Sequence, residues 1–139
     1  MNSFAFDPGT DQSLILTVTV HGHVVDTQLI VATQPRRSPM YTLITALGEC
    51  ALITLHGICQ RQRQSVTAYR AELRAAQRTT HPQILQHVQL HFVVMGNQLD
   101  MSRLTHAVAL LPKYCPVHAT VACTSPIHHS LTIDTKDTP

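Results

Sequence analysis

The hydrophobic pattern changes period several times along the chain, and each change marks an element. Leu14 to Val20 is rich in β-branched residues, and His23 to Thr33 alternates apolar and polar positions less regularly, so the chain is expected to open with two strands. Gly22 lies between them and suits a tight turn. Gln34-Pro35-Arg36-Arg37 reads as a loop. Ser38-Pro39 then starts a helix, with Ser38 as N-cap and Pro39 at the first helical position. From Met40 to Ile58 apolar residues occupy nearly every face, which predicts a buried helix running from Pro39 to near Gln64. A helix of about 25 residues is about 37 Å long. That is long for a small domain and suggests packing against a second subunit.

Two further strands are predicted over Val66 to Gln77 and Ile84 to Met95, joined by Arg78-Thr79-Thr80-His81-Pro82 and ended by Gly96-Asn97. Asp100 to Leu111 reads as a helix, N-capped by Gln98, Leu99 or Asp100 and stopped by Pro112. Cys115-Pro116 opens a short helix to about Cys123, and Ile127 to Ile133 closes the fold as a strand. The order ββ-α-ββ-α-α-β, with a long central helix, predicts an α+β domain. At 139 residues the chain is expected to be one domain over 1–139, with its core between about 14 and 133.

Charge narrows the function. The formal net charge is +2, and Lys and Arg are scattered, which gives no footprint for nucleic acid or a membrane surface. No charged segment leads into an apolar run at the N-terminus, so no signal peptide is expected. Glu49, His56 and several threonines interrupt the long apolar helix, which therefore reads as core and not as a membrane span. A cytoplasmic location follows as the expectation. Thiols stay reduced in that compartment, and disulfides there are usually transient. Ten histidines are present, but none forms a His-Glu-x-x-His or Cys-x-x-Cys pattern. No metal and no cofactor are expected.

Cys50 and Cys115 carry the candidate chemistry. They lie 65 positions apart, Cys50 inside the long helix and Cys115 at the start of a short one. Pro116 at a first helical position puts Cys115 at the N-cap, where free backbone N–H groups and the helix dipole favour a thiolate. Lys113 adds positive charge nearby. Cys50 sits in apolar company, where desolvation disfavours ionisation. Local physics alone therefore makes Cys115 the better nucleophile. Cys59 is nine residues beyond Cys50, about 180° around the helix. Both Cys59 and Cys123 read as structural.

Ser38-Pro39-Met40, Ala46-Leu47-Gly48-Glu49-Cys50-Ala51 and Tyr114-Cys115-Pro116-Val117 together resemble the OsmC/Ohr family, the osmotically inducible and organic hydroperoxide resistance proteins. The resemblance covers roughly residues 14 to 133. It implies antiparallel sheets around a long buried central helix, in an intertwined homodimer with the active sites at its interface. It also implies a thiol peroxidase for oxidative stress defence. Cys50 would attack an organic hydroperoxide and Cys115 would resolve the sulfenic acid as a disulfide, reversing the ranking from local physics. A dithiol, often a lipoyl group on a protein, would be the reductant.

Two departures from the family pattern stand out. The family carries a Glu just after the Pro that starts the long helix, where this chain has Met40 and Tyr41. The family's N-terminal arginine motif is not evident, which leaves Arg36 or Arg37 as the nearest candidate cation. Tyr41 offers a hydroxyl in place of the lost carboxylate, and Glu49 adjoins Cys50 but lies about 100° away on the helix. His118, three residues after Cys115, is a candidate to exchange a proton with the leaving thiol near neutral pH. The departures also motivate an alternative: a non-catalytic member that binds an apolar small molecule or a partner in the same pocket.

Overall fold

The computed structural model describes residues 13–32 and 38–134. Arg36 and Arg37 lie outside the described residues. The elements are β1 (Ser13–Val25), β2 (Gln28–Ala32), α1 (Pro39–Arg61), β3 (Ser65–Arg78), β4 (Leu85–Asn97), α2 (Met101–Ala109), α3 (Leu111–Tyr114), α4 (Pro116–Ala122) and β5 (Ile127–Asp134). The strands form one sheet in the order β2-β1-β3-β4-β5. Helix α1 packs on one face of that sheet, against β1 and β3.

The first hairpin turns later than the sequence suggested. Gly22 is inside β1, paired with Val31 and Tyr69, and the turn falls at Asp26-Thr27. Both turn residues have positive φ, 50° and 69°. A two-residue loop with both central residues left-handed matches the twist of the flanking strands, and Asp tolerates that region. Gly22 answers a different need. A Cβ there would lie 2.8 Å from Leu29 Cδ1 and 3.6 Å from Leu52 Cδ1, so its absence lets α1 and β2 close on the sheet.

Helix α1 starts as the sequence predicts. Ser38 is extended and its hydroxyl accepts the Tyr41 N–H at 3.1 Å, with Pro39 in the first turn. The helix ends where Arg63 enters the left-handed region at φ 57°. There Gln64 N–H bonds the Cys59 carbonyl and Arg63 N–H bonds the Gln60 carbonyl, the two bonds of a Schellman stop. Ile44, Leu47, Ala51, Leu52 and Leu55 are fully buried against the sheet. Helices α2 to α4 also touch α1, but Leu43 stays 41% exposed and Ile53 60%. The all-round apolar pattern thus resolves into one face on the sheet and another that the described residues cover only in part.

The sheet is antiparallel from β2 through β4, but β5 joins β4 in parallel, with Val88 opposite Ile127. The expectation of purely antiparallel sheets is corrected here. Three helices intervene between β4 and β5, and a crossover of that kind returns the chain in the same direction. Within it, Asp100 caps α2 by accepting the Ser102 and Arg103 N–H groups. Pro112 does not stop a long helix as expected. It sits in the first turn of α3, where its missing N–H costs nothing.

Candidate functional site

Two elements bring the thiols together. Gly48 lets α1 approach the sheet, since a Cβ there would lie 2.7 Å from Leu73 Cδ1 and 2.9 Å from Val20 Cγ2. Cys50 follows half a turn later, partly buried and turned from the sheet toward α4. At the other end, Cys115 closes α3 and N-caps α4, with extended φ −97° and ψ 107°. Its Sγ accepts the His118 backbone N–H at 3.4 Å. Its thiol donates to Cys50 Sγ at 2.8 Å. Both cysteines are free, and a bonded pair would sit at about 2.05 Å.

This environment opposes the thiolate that local physics favours at Cys115. The N-cap is real, but Cys115 is fully buried. Burial pushes its pKa up to about 11, and donation to Cys50 and the charge of the Cys50 thiolate act in the same direction. The His118 N–H and the Thr54 hydroxyl oppose the rise without cancelling it. Cys115 therefore holds its proton at neutral pH. Desolvation outweighs one helix terminus, and burial is not visible in local sequence.

The other candidates fall in distinct places. Glu49 has a buried carboxylate oxygen, Oε2, with no hydrogen-bond partner among the described residues. Tyr41 is a core residue in the first turn of α1, nine positions before Cys50 and so on the opposite side of the helix. His118 is buried, at 3% exposure, and not a surface helix residue. Burial lowers its pKa.

Two site residues escaped the sequence reading. His129 on β5 meets His118 with an Nε2–Nε2 separation of 2.7 Å and stacked rings. Burial pushes the His129 pKa down to about 4, helped by the charges of His118 and His128. A signal for it existed: Ile127, His129, Leu131 and Ile133 alternate along β5, which places His129 on the inward face. Thr54, one turn after Cys50, had no such signal.

The remaining cysteines stand apart from the pair. Cys59 is buried beside Tyr69, and that burial raises its pKa. Cys123 is exposed, with its thiol donating to the Ala119 carbonyl at 3.3 Å. Among the described residues no three or more His, Cys, Asp or Glu side chains gather as a metal site would require.

A five-stranded sheet, a long helix carrying one thiol and a capped short helix presenting a second define an α+β protein with a facing dithiol. Its family follows from comparison. The sequence profile of the OsmC-like proteins matches residues 32–130, and the chain belongs to that family. It is similar to Protein YhfA of Escherichia coli K12, with 36% identity over 81 residues. That match covers 58% of this chain and 60% of the relative, so the chain spans under two thirds of that relative's length. Among solved structures it is similar to a hypothetical protein of Aquifex aeolicus VF5, with TM-score 0.67 and 26% identity over 78% of this chain and 83% of the other. It also shares its fold with an organic hydroperoxide resistance protein OsmC of Legionella pneumophila, with TM-score 0.58 and 14% identity over 83% and 96% of the two chains.

Proposed function

We propose that the protein is a thiol peroxidase that reduces organic hydroperoxides through Cys50 and Cys115. The observation that carries this reading is the 2.8 Å contact in which Cys115 keeps its proton and donates it toward Cys50. A cycle needs one sulfur to attack and one to wait, and that contact supports Cys50 as the attacking member. The Cys50 thiolate attacks the terminal peroxide oxygen and the O–O bond breaks. Cys50 keeps the transferred OH as a sulfenic acid, and the alkoxide leaves as the alcohol with the proton that Cys50 gave to solvent on ionising. Cys115 sulfur then attacks Cys50 sulfur, and the departing hydroxide takes the Cys115 proton to leave as water. A dithiol, such as a protein-bound lipoyl group, reduces the disulfide by exchange. Arg36 or Arg37 is the proposed cation for the attacking thiolate, with Glu49 a candidate to orient it.

The family and the hydroperoxide resistance named for the Legionella relative support the substrate class. The partly covered face of α1, with Leu43 and Ile53 exposed beside Cys50, supports a homodimer that closes over the site. The cytoplasm, with its reducing pool, is the compartment in which such a cycle turns over.

The second reading is a non-catalytic member that binds an apolar molecule. Met40 and Tyr41 in place of the family's Glu favour it, as does an apolar cleft of about 240 Å³ between Met40, Leu43, Ile84 and Val121. Hydroperoxide consumption separates the two. The peroxidase reading expects turnover that Cys50→Ser abolishes and a sulfenic acid that persists in Cys115→Ser. Consumption unchanged by Cys50→Ser eliminates it.

A further inference from the structure

We propose that His118 and His129 form a fixed-tautomer imidazole pair that latches α4 to the sheet and so positions Cys115 for its reaction with Cys50. The helix that Cys115 caps has only seven residues, too short to hold itself by backbone bonds. Its other side-chain hydrogen bonds stay inside it or at its ends, from Thr120 to the Pro116 carbonyl and from Cys123 to the Ala119 carbonyl. The Nε2–Nε2 bond of 2.7 Å reaches from α4 to β5. It starts from the residue whose backbone N–H holds the Cys115 sulfur. One residue thus grips the thiol through its main chain and the sheet through its side chain.

The proton positions follow from burial. Two imidazoles that share an Nε2–Nε2 bond need a proton on one side and a lone pair on the other. His118 Nδ1 is buried and has no hydrogen-bond partner among the described residues. A proton there would leave a buried N–H without an acceptor, which burial penalises. The structure therefore assigns the proton to His118 Nε2, which donates to His129 Nε2, while His129 carries its proton on Nδ1. Desolvation of both rings keeps the pair neutral.

The value of such a latch lies in the distance still to travel. The sulfurs are 2.8 Å apart and need to close by only about 0.7 Å to bond. A site that close to its bonded geometry loses rate steeply when displaced, about a hundredfold for a 1 Å misplacement. The inference rests on the thiol-cycle reading for its biological use, but its test requires no peroxidase activity.

The full chain is equilibrated with glutathione and glutathione disulfide. There, glutathione disulfide takes two electrons from the Cys50 and Cys115 thiols and leaves as two glutathione thiols carrying their protons. Mass mapping follows the Cys50–Cys115 bond. His118→Ala is expected to form it at least tenfold more slowly, with an equilibrium constant about tenfold less favourable, a rise of about 30 mV in potential. His118→Gln keeps a donor in place of Nε2–H and is expected to restore both within about threefold. Wild-type ¹⁵N spectra at neutral pH should show His118 protonated at Nε2 alone, a readout that does not depend on whether the Ala variant folds. Equal rates and potentials in folded wild type and His118→Ala, a proton on His118 Nδ1, or failure of His118→Gln to restore the bond would overturn the latch. A wild type that forms the bond with these features but consumes no hydroperoxide supports the latch and removes the peroxidase reading.

Discussion

Cys115 and His129 are both shifted by burial, in opposite directions on the pH scale, and together they set a window of stability. The Cys115 pKa rises from 9.0 to about 11 on folding, so the native state resists loss of that proton. Its contribution is complete below pH 9 and is lost as pH climbs toward 11. The His129 pKa falls from 6.5 to about 4, so the native state resists gaining a proton there. That contribution is complete above pH 6.5 and is lost as pH falls toward 4. Thermal unfolding of the reduced protein should therefore show a plateau between about pH 6.5 and 9 and decline on both sides. In Cys115→Ser the alkaline decline should shrink, and an alkaline limb of unchanged size contradicts the assignment. At this scale the sequence was least informative. The capping geometry of Cys115 was readable from Pro116, but its complete burial, which decides the outcome, arises from residues distant in the chain.

Elements were more legible because their signals are local. Ser38-Pro39 marks the start of α1 and Cys115-Pro116 that of α4, each a side-chain acceptor followed by helical residues, whereas the cap of α2, Asp100, is one of three candidates with Gln98 and Leu99. Helix α1 ends at Arg61, three residues before the expected Gln64, because no glycine marks its stop. Arg63 takes the left-handed position that glycine usually fills, at a steric cost to a residue with a Cβ. Arg63→Gly should stabilise the fold by about 1 kcal/mol, as read by denaturant midpoint at unchanged slope. Destabilisation by that substitution contradicts the strained stop. The misplaced first turn has the converse origin. Gly22 looked like a turn residue, whereas close packing by Leu29 and Leu52 is what requires it.

For the whole molecule, the strand order along the chain and every helix but α3 are readable, but direction and exposure are not. The parallel entry of β5 depends on how α2, α3 and α4 cross the sheet. The apolar stripe on α1 belongs to two surfaces, one filled by the sheet and one by whatever covers Leu43 and Ile53. A second copy is the proposed cover. Ile53→Glu places a charge in that face without touching the protomer core. It should shift the protein from dimer to monomer in sedimentation while leaving its circular dichroism intact. A wild-type monomer, or a dimer indifferent to Ile53→Glu, rejects that arrangement. The paired thiols beside this face remain the centre of the account. The most direct measurement is to treat the reduced protein with a slight excess of an organic hydroperoxide and map its disulfides by mass. Rapid formation of a Cys50–Cys115 bond is expected, with Cys59 untouched. An unreacted Cys50, or oxidation that falls first on exposed Cys123, would contradict it.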